Sequence, residues 1–575
     1  MPGRARRAVL QGALAMAGAA VLPACRPREA LYVAGQRLPA HITGGWVGPQ
    51  IDRGHAARDG RWPVASAGMP VRRVHTLVMG AGVAGLSAAR TLMQGGLDDI
   101  AVLDLEDHCG GAARGHELAG LPCPLGAHYL PVPGEDARDV AQWLEEIGLI
   151  RREQGRWRGD ERHLCHSPQE RLFLPELAPV PVDELWRGHW QDGLLPLPSR
   201  GSAAWQQMQA FSREIEALRQ SAGFAMPTTS RPWNTALAAL DGQTFAQWLD
   251  ARGYTDPALR WVLDYACRDD YGAQLTRVSA WAGIHYFASR HGFEMPGAAH
   301  EDHDAVLTWP QGNAWLVQRL SASLADRWQG GTVVLRVQAG RREVVVDTWS
   351  VARQQAQRWV AREAIMATPL FMSARLLHPV PAPLQALRPL LHQAPWLVSN
   401  VLLDEAPHAR PGAPLSWDNV VYTSQGVGTV DTPSLGYVDA RHQSLAPVTG
   451  PTVWTHYWAL GGRSTAMGLA HRQQLLSQPW SHWASLVLAD LARVQPDIVA
   501  RVRQMDLMRW GHGMVIPVPG LRGHPALAAL QQPQGRLHFA HSDLSAYSVF
   551  EEAFTHGVRA ARQVLASTGL PRRKV

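Results

Sequence analysis

The sequence predicts an α/β fold in which a Rossmann-like dinucleotide-binding domain is interleaved with an α+β substrate domain. Two segments near opposite ends of the 575-residue chain predict this arrangement. Residues 74–104 give an apolar strand, a glycine-rich turn, a helix and a second apolar strand, which is the order of a βαβ unit. Residues 537–564 give a further strand and helix, which return the chain to the first domain. A second domain between the two segments is expected at this length.

The glycine-rich turn carries a dinucleotide signature, Gly80-Ala-Gly-Val-Ala-Gly85. Gly80 permits the tight turn, Gly82 lets the backbone approach a pyrophosphate, and Gly85 lets helix and strand pack closely. The helix N-terminus adds N–H donors and a partial positive charge for the phosphates. Asp104 ends the second strand, where a carboxylate accepts hydrogen bonds from an adenosine ribose. The predicted dinucleotide-binding residues of this unit are Gly80, Gly82, Val83, Ala84, Gly85 and Asp104.

A glycine pair, Gly110 and Gly111, follows Asp104 at a distance of six and seven residues. This spacing resembles the flavin amine oxidase and phytoene desaturase superfamily, in which the acidic residue is followed at that distance by Gly-Gly-Arg. The arginine is displaced in this chain, because Ala112 holds its place and Arg114 comes two residues later. The resemblance implies that Gly110, Gly111 and Arg114 contact the cofactor.

Later segments extend the resemblance over about residues 72–567. Gly126-Ala-His-Tyr129 is similar to the next flavin-facing loop of the superfamily, and Gly126 is expected to contact the cofactor. The other segments that resemble its motifs are 309–316, 361–369, 509–520 and 537–561. The resemblance implies that the dinucleotide is FAD rather than NAD.

The C-terminal segment supports a flavin site on physical grounds as well. Apolar or small residues recur at helical spacing from Phe550, and a helix N-terminus there can face an electron-rich ring edge and stabilise reduced flavin. Asp543 is predicted to hold a ribityl or pyrophosphate group, with Phe550 as a further cofactor contact. The alternative is a strand–helix pair that only closes the domain.

The N-terminus predicts export rather than structure. Arg6-Arg7 is a twin-arginine pair, and the mostly apolar residues 8–22 are too few to span a bilayer. Leu22-Pro-Ala-Cys25 resembles a lipoprotein processing site, although cleavage at a nearby alanine is the alternative. We therefore expect recognition by the twin-arginine export machinery and a periplasmic protein, either free or anchored through a lipid on Cys25.

Charge and composition exclude several classes. The net charge is +6, and removal of the export segment with its three arginines would leave +3. The only other basic run is 572–574, which disfavours nucleic-acid binding. No CxxC occurs, and residues 300–304, although rich in metal-ligand types, read as a solvated loop, so no metal site is predicted. A Cys109–Cys123 disulfide is compatible with an oxidising compartment.

The domain pattern is interleaved. Residues 332–338 and 343–347 alternate as the two strands of a hairpin that returns to the dinucleotide-binding domain. The predicted segments are 1–25 for export, 26–71 for a linker and arm, 72–130, 331–395 and 506–567 for the FAD-binding domain, and 131–330 and 396–505 for the substrate domain.

Two hallmarks of the resembled amine oxidases are missing. The only lysine, Lys574, lies beyond the last motif, so the family's lysine beside the flavin has no counterpart. Val549 stands where the family commonly has a tyrosine that walls the substrate site. His512 is therefore the first candidate for a general base and His128 the second, because histidine titrates near neutrality.

The substrate pocket is expected to include Trp309, Tyr271 and Tyr547. Residues 264–272 cluster carboxylates beside an arginine, which suits either a cationic substrate or a salt-bridged helix end. These features predict an exported FAD-dependent oxidoreductase that takes a hydride from a C–N or C–C unit of a small molecule and is reoxidised by oxygen, a quinone or a redox protein. A flavin-fold scaffold lipoprotein without turnover and a redox-neutral flavin isomerase are the alternatives.

Overall fold

The computed structural model describes residues 32–63, 68–165, 169–175, 188–293, 295, 305–407, 412–443 and 450–569. The predicted export segment, with Arg6-Arg7 and Cys25, and the loop 300–304 lie outside these residues. Among the described helices, none is both long and apolar enough to cross a membrane.

The described chain contains both strands and helices, with only helices over residues 203–286. The strands are β1 Thr43–Val47, β2 Val71–Met79, β3 Ile100–Leu103, β4 Gly115–Leu118, β5 Leu121–Pro124, β6 Tyr129–Pro131, β7 Ile150–Glu153, β8 Arg156–Gly159, β9 Glu170–Leu174, β10 His189–Asp192, β11 Val306–Thr308, β12 Trp328–Gln329, β13 Thr332–Ala339, β14 Val344–Ser350, β15 Gln355–Met366, β16 Gln393–Leu403, β17 Asp418–Val421, β18 Tyr437–Asp439, β19 Thr452–Ala459, β20 Val502–Val515 and β21 Leu537–Phe539. The α-helices are α1 Ile51–Arg58, α2 Val83–Gln94, α3 Arg138–Glu146, α4 Ala203–Ser221, α5 Thr235–Asp241, α6 Phe245–Ala251, α7 Pro257–Tyr271, α8 Ala280–Tyr286, α9 Ala314–Ser321, α10 Leu370–Leu376, α11 Ala382–Leu387, α12 Thr465–Ser477, α13 Trp480–Ala492, α14 Ile498–Arg501, α15 Pro525–Leu530 and α16 Phe550–Thr568.

A seven-stranded sheet forms the core of the dinucleotide-binding domain. Its order is β12-β3-β2-β15-β14-β13, and β21 also pairs with β15. β2, β3, β15 and β21 are parallel neighbours, so their apolar residues are buried on both faces. β13 and β14 are antiparallel, which confirms the predicted hairpin. The βαβ unit and the C-terminal strand–helix pair therefore meet in one sheet, as the sequence predicts.

Helices α2 and α16 cross in close contact on one face of this sheet. A Cβ on Gly557 would lie 2.0 Å from Ser87 Oγ and 2.2 Å from the carbonyl oxygen of Ala84, so only glycine fits at this crossing. Gly82 and Val549 are the N-cap residues of the two helices, and neither supplies a side-chain cap. Both helices thus keep backbone N–H groups in their first turns for other partners.

An eight-stranded sheet forms the substrate domain, in the order β1-β20-β16-β19-β18-β17-β9-β10. Side chains alternate between its faces: Val398 packs with the helices that include α4–α8, whereas Leu397 packs with α13 and α14. Strand β20 extends to Val515, so residues 506–515 pair with the substrate sheet, whereas the sequence assigned them to the FAD-binding domain.

Part of the N-terminal arm pairs with the substrate domain. Strand β1 joins the edge of the substrate sheet in parallel with β20, so the arm adds an edge strand to the second domain. Cys109 and Cys123 are free thiols in different apolar surroundings, so the structure forms no disulfide between them. Burial raises the pKa of each thiol to about 12, which leaves both protonated and unreactive at neutral pH.

Candidate cofactor and substrate site

The three glycines of the βαβ turn differ in what surrounds them. Gly80 has a φ of +106°, and a Cβ there would lie 2.5 Å from the carbonyl oxygen of Ala367. A Cβ on Gly85 would lie 1.8 Å from the carbonyl oxygen of Gly80. A Cβ on Gly82 would instead meet no protein atom closer than Gly111 Cα at 3.9 Å. Gly80 and Gly85 are therefore required for packing, whereas Gly82 borders open space.

The open space beside Gly82 is bounded by N–H donors and a second glycine pair. Val83 and Ala84 form the first turn of α2, where backbone N–H groups have no intrahelical acceptor. Gly110 and Gly111 pass beside this turn with φ values of +125° and +56°, and the Gly110 N–H donates to the Ala81 carbonyl at 2.8 Å. Two backbone segments without side chains thus face each other, as a pyrophosphate requires.

Asp104 fixes the glycine turn. One carboxylate oxygen accepts from the Ala81 N–H at 2.6 Å and the other from the Glu106 N–H at 2.9 Å. Burial raises the pKa of Asp104, and these two hydrogen bonds oppose the rise. Each oxygen keeps a second lone pair, so a ribose contact stays a prediction.

Arg114 reaches the glycine pair despite its displacement in the sequence. Its Nε donates to the Gly111 carbonyl at 3.2 Å, and a terminal nitrogen pairs with Glu106 at 3.1 Å. The guanidinium also lies 5.7 Å from the ring centre of Trp510. The Arg114 side chain therefore lies against the second glycine of the pair, although residue 112, where the resembled family has arginine, is alanine.

The two C-terminal residues have contacts that the sequence did not predict. Asp543 accepts from the Leu370 N–H at 2.9 Å and lies 3.2 Å from His541 Nδ1, so both of its oxygens face protein groups, and its contact with the cofactor stays a prediction. The ring of Phe550 is buried in the domain core and stacks on Trp143 at 5.8 Å. A contact between Phe550 and the cofactor stays a prediction.

The flavin-facing loop 126–129 joins the two domains. A Cβ on Gly126 would lie 2.2 Å from the Ala112 carbonyl, so this loop packs closely against the segment after the glycine pair. The Gly126 carbonyl accepts from the hydroxyl of Tyr457 on β19 at 3.1 Å. Ala127 is exposed, so the loop has an open side between the domains.

Four rings surround the end of this loop, and we call His128, Tyr129, Trp417 and Tyr457 the aromatic cluster. His128 stacks on Tyr457 at 4.5 Å and lies 5.0 Å from Tyr129 and 5.4 Å from Trp417. Burial among these rings lowers the pKa of His128 to about 3. The imidazole is therefore uncharged at neutral pH, and it is a weak proton acceptor.

Carboxylates lie next to the aromatic cluster. Asp418, at the start of β17, accepts from the Asn419 N–H at 2.9 Å and lies 3.4 Å from the Tyr265 hydroxyl. Burial raises the pKa of Asp418 well above its ordinary value, and the charges of Glu170 and Asp269 raise it further. Within the described residues, no basic side chain forms an ion pair with Asp418.

Asp418 and Asp269 also affect the pKa of a tyrosine in the aromatic cluster. The pKa of Tyr457 is raised well above its ordinary value, first by burial and then by Cys123, Asp418 and Asp269. An aromatic wall and a carboxylate thus share one region beside the flavin-facing loop. No motif in the sequence pointed to Asp418, because β17 reaches this region only through the order of strands in the substrate sheet.

The predicted base His512 lies in different surroundings. Its ring is exposed and stacks on Phe371 at 4.6 Å. The lowered pKa of His128 argues against that histidine as the general base, and the role of His512 stays a prediction.

Two of the three predicted pocket residues lie together. The rings of Tyr271 and Tyr547 are 5.2 Å apart, with the Tyr271 hydroxyl donating to the Ala282 carbonyl at 2.7 Å. Trp309 is buried in the core of the dinucleotide-binding domain, where it stacks on Trp315 at 5.1 Å. Trp309 thus lies apart from the two tyrosines, and its place in the substrate pocket stays a prediction.

The two parts of the acidic segment 264–272 have different surroundings. Asp264 and the buried Arg268 form an ion pair of 3.0 Å, and Arg268 also donates to the carbonyls of Pro433 and Ser434. This part of the segment is the salt-bridged helix end. Asp269 instead contributes to the field at Asp418, and Asp270 accepts a hydrogen bond from the Tyr547 hydroxyl.

The chain has relatives among flavin-dependent oxidases. It is 34% identical over 78 residues to polyamine oxidase 7 of Oryza sativa subsp. japonica, which is 13% of this chain and 16% of the relative. It is 31% identical over 130 residues to polyamine oxidase 1 of the same plant, which is 21% of this chain and 25% of the relative. The aligned segments thus span a quarter or less of these relatives.

Solved structures share the fold over most of the chain. A putrescine oxidase bound to putrescine has a TM-score of 0.64 at 18% identity and covers 86% of this chain and 100% of its own. Cyclohexylamine oxidase from Brevibacterium oxydans has a TM-score of 0.59 at 17% identity, with 86% and 98% covered. A fatty acid isomerase from P. acnes has a TM-score of 0.56 at 14% identity, with 84% and 97% covered. At these identities the likeness shows the fold.

The groove beside Gly82 fits FAD. It joins an uncapped helix N-terminus and a facing glycine pair to the loop 126–129 at the domain junction. The family model of flavin-containing amine oxidoreductases matches residues 83–565, which include the first turn of α2, the glycine pair 110–111, the aromatic cluster and Asp418. The chain therefore belongs to the flavin-containing amine oxidoreductase family, whose cofactor is FAD.

Proposed function

We propose that this protein is an exported FAD-dependent oxidoreductase that oxidises the C–N bond of a small cationic amine. The observation that carries this proposal is the position of Asp418 beside the aromatic cluster, next to the loop 126–129. Aromatic faces and a carboxylate without a basic partner are what an ammonium group requires when it leaves water.

Each group in this region has a separate task. The backbone of residues 80–85 and 110–111 holds the pyrophosphate of FAD, and Arg114 supports the second glycine pair. Bound FAD supplies the hydride acceptor. The rings of Tyr129, Trp417 and Tyr457 exclude water and hold the cation against their faces. His128 is neutral, so it adds no repulsion to a cationic substrate.

The substrate amine has to lose a proton before its C–H bond can deliver a hydride. Asp418 is suited to accept this proton, because its raised pKa makes it a stronger base than an ordinary carboxylate. This assignment replaces the histidines as the general base and needs no lysine beside the flavin.

Anaerobic reduction of the bound flavin tests the proposed activity. We expect putrescine or cyclohexylamine to bleach the flavin absorbance, whereas cyclohexanol, which has the same ring without the cation, leaves it unchanged. Bleaching by polyenes and not by amines would contradict the C–N assignment. Isomerisation of a fatty acid without any electron acceptor would instead support the redox-neutral alternative.

Export through the twin-arginine pathway remains part of the proposal and rests on the sequence Arg6-Arg7. An exported compartment lacks a soluble NAD(P)H pool, so oxygen, a quinone or a redox protein is the proposed oxidant of the reduced flavin. We expect replacement of Arg6-Arg7 by Lys-Lys to retain the protein in the cytoplasm, as measured by cell fractionation. Loss of palmitate labelling in Cys25→Ala would support lipid anchoring. Absence of labelling in the wild-type protein would contradict lipid anchoring.

A further inference from the structure

A second cavity, separate from the aromatic cluster, lies where the first turns of α12 approach β16, β20 and α10. Its volume is about 290 Å³, close to the lower limit for small-molecule sites. The polar side chains that line it are Arg277, His392, Gln393, Thr465, Arg472 and His512. Among the described residues that line this cavity, none is acidic.

The two arginines are held in place by backbone carbonyls. Arg277 is 7% exposed and donates to the Gly461 carbonyl at 2.6 Å. Arg472 donates to the Gly511 carbonyl at 2.7 Å and to that of Gln393. Each guanidinium carries five N–H donors, so both keep donors beyond these contacts.

The electrostatics of the cavity favour an anion. Burial, followed by the charge of Arg472, lowers the pKa of Arg277 to about 10, so the guanidinium is still charged at neutral pH. The pKa of His392 is lowered by burial and then by Arg277. Two half-desolvated positive charges without a carboxylate are unfavourable, and an anion between them would relieve the repulsion.

Gln393 gives an independent indication. The residue is 7% exposed, and its buried side-chain nitrogen has no hydrogen-bond partner among the described residues. Buried amide donors in native proteins are almost always satisfied, so an unpartnered donor in a cavity wall indicates a missing acceptor. Thr465 is the first residue of the 13-residue helix α12, whose N-terminal end adds partial positive charge.

We propose that this cavity binds a small oxyanion, a phosphate or a carboxylate, between Arg277 and Arg472. Both arginines can present paired N–H donors to two oxygens of such a group, which is the geometry that guanidinium favours. Gln393 and Thr465 supply neutral donors to the remaining oxygens. This site is additional to the amine site and does not depend on the proposed oxidation.

Calorimetric titration of the flavin-loaded protein tests the site, with inorganic phosphate in one arm and succinate in the other. Chloride keeps the ionic strength constant, since exposed charges are screened by salt. Saturable binding of either anion supports the proposal, and the tighter one identifies the chemical class. Absence of saturable binding in both arms overturns it.

Variants on one helix locate the binding. Leu469 lines the cavity and is 55% exposed, whereas Leu476 lies two turns further along α12, is 41% exposed and does not line it. We expect Leu469→Glu to weaken anion binding about ten-fold through like-charge repulsion, and Leu476→Glu to change it less than two-fold. Equal effects of the two substitutions would show that only the general surface charge matters.

A third variant tests the arginine itself. Arg472→Gln should weaken binding at least ten-fold, because a charge-assisted hydrogen bond is lost. Arg463→Gln, which removes an exposed charge two residues before Thr465, is the control and should retain binding within about two-fold of wild type. Unchanged binding in folded Arg472→Gln would also overturn the proposal. If Arg472→Gln does not fold, the two leucine variants still decide it.

Discussion

Gly82→Val is expected to fold and to purify without its flavin. Gly82 has an ordinary φ of −73°, and a Cβ there meets no protein atom closer than 3.9 Å, so the side chain fits the protein. The space it enters is the space that the pyrophosphate needs. We expect an FAD affinity at least 100-fold below wild type, measured as flavin absorbance per folded protein and by titration with added FAD.

Two other glycines serve as controls for this result. Gly85→Ala places a Cβ 1.8 Å from the Gly80 carbonyl, so it should lose the fold and the flavin together. Gly134→Val stands at an exposed position with nothing within 4 Å, so it should keep both. A yellow Gly82→Val protein with full FAD content would contradict the cofactor site.

The cofactor half of the site could be predicted from the sequence because it is local. Gly80, Gly82, Gly85 and Asp104 lie within 25 residues, and the strand–turn–helix that joins them fixes their relative positions. The structure confirms the tight turn at Gly80 and the close packing at Gly85. Local spacing carries this information because each glycine responds to backbone contacts within the same βαβ unit or with the adjacent strand β15.

Most of the proposed substrate half could not be predicted, because it is assembled from distant strands. His128, Trp417 and Tyr457 come from a loop, from the residue before β17 and from β19, and only the order of strands in the substrate sheet brings them together. Trp309 belongs to the predicted substrate segment 131–330, but its ring is buried in the core of the dinucleotide-binding domain. A residue's chemistry therefore did not tell which core would receive it.

Asp418→Asn is expected to lower kcat/KM for a cationic amine by about 10²–10³-fold. Removing one partner of a buried charge pair costs about 2–5 kcal/mol, and each 1.4 kcal/mol is a factor of ten. Rapid mixing with putrescine under anaerobic conditions measures the rate of flavin reduction per flavin-loaded molecule. His128→Gln, which changes an uncharged wall of the same region, should reduce the rate less than Asp418→Asn does.

The pH dependence separates a proton acceptor from a binding charge. In the wild-type enzyme, kcat/KM should rise with pH as Asp418 ionises, and its raised pKa places this rise above the ordinary aspartate range. The asparagine variant has no such group, so this limb of the profile should flatten. A profile with the same limb in both proteins would assign the proton to another residue.

Stability should change in the opposite direction to activity. The pKa of Asp418 in the folded protein lies above its unfolded value of 3.8, so the folded state holds the proton more tightly than the unfolded state. The free energy of unfolding therefore falls as pH rises from about the unfolded pKa to the folded one.

Asparagine remains neutral, so Asp418→Asn should have a higher Tm than wild type at pH 8 and lose this advantage in acid. A carboxylate that only held the Asn419 N–H and the Tyr265 hydroxyl would show the reverse, a lower Tm in the variant at every pH. If the variant is inactive and has a raised Tm at pH 8, the ionised carboxylate of Asp418 is needed for turnover and destabilises the folded protein.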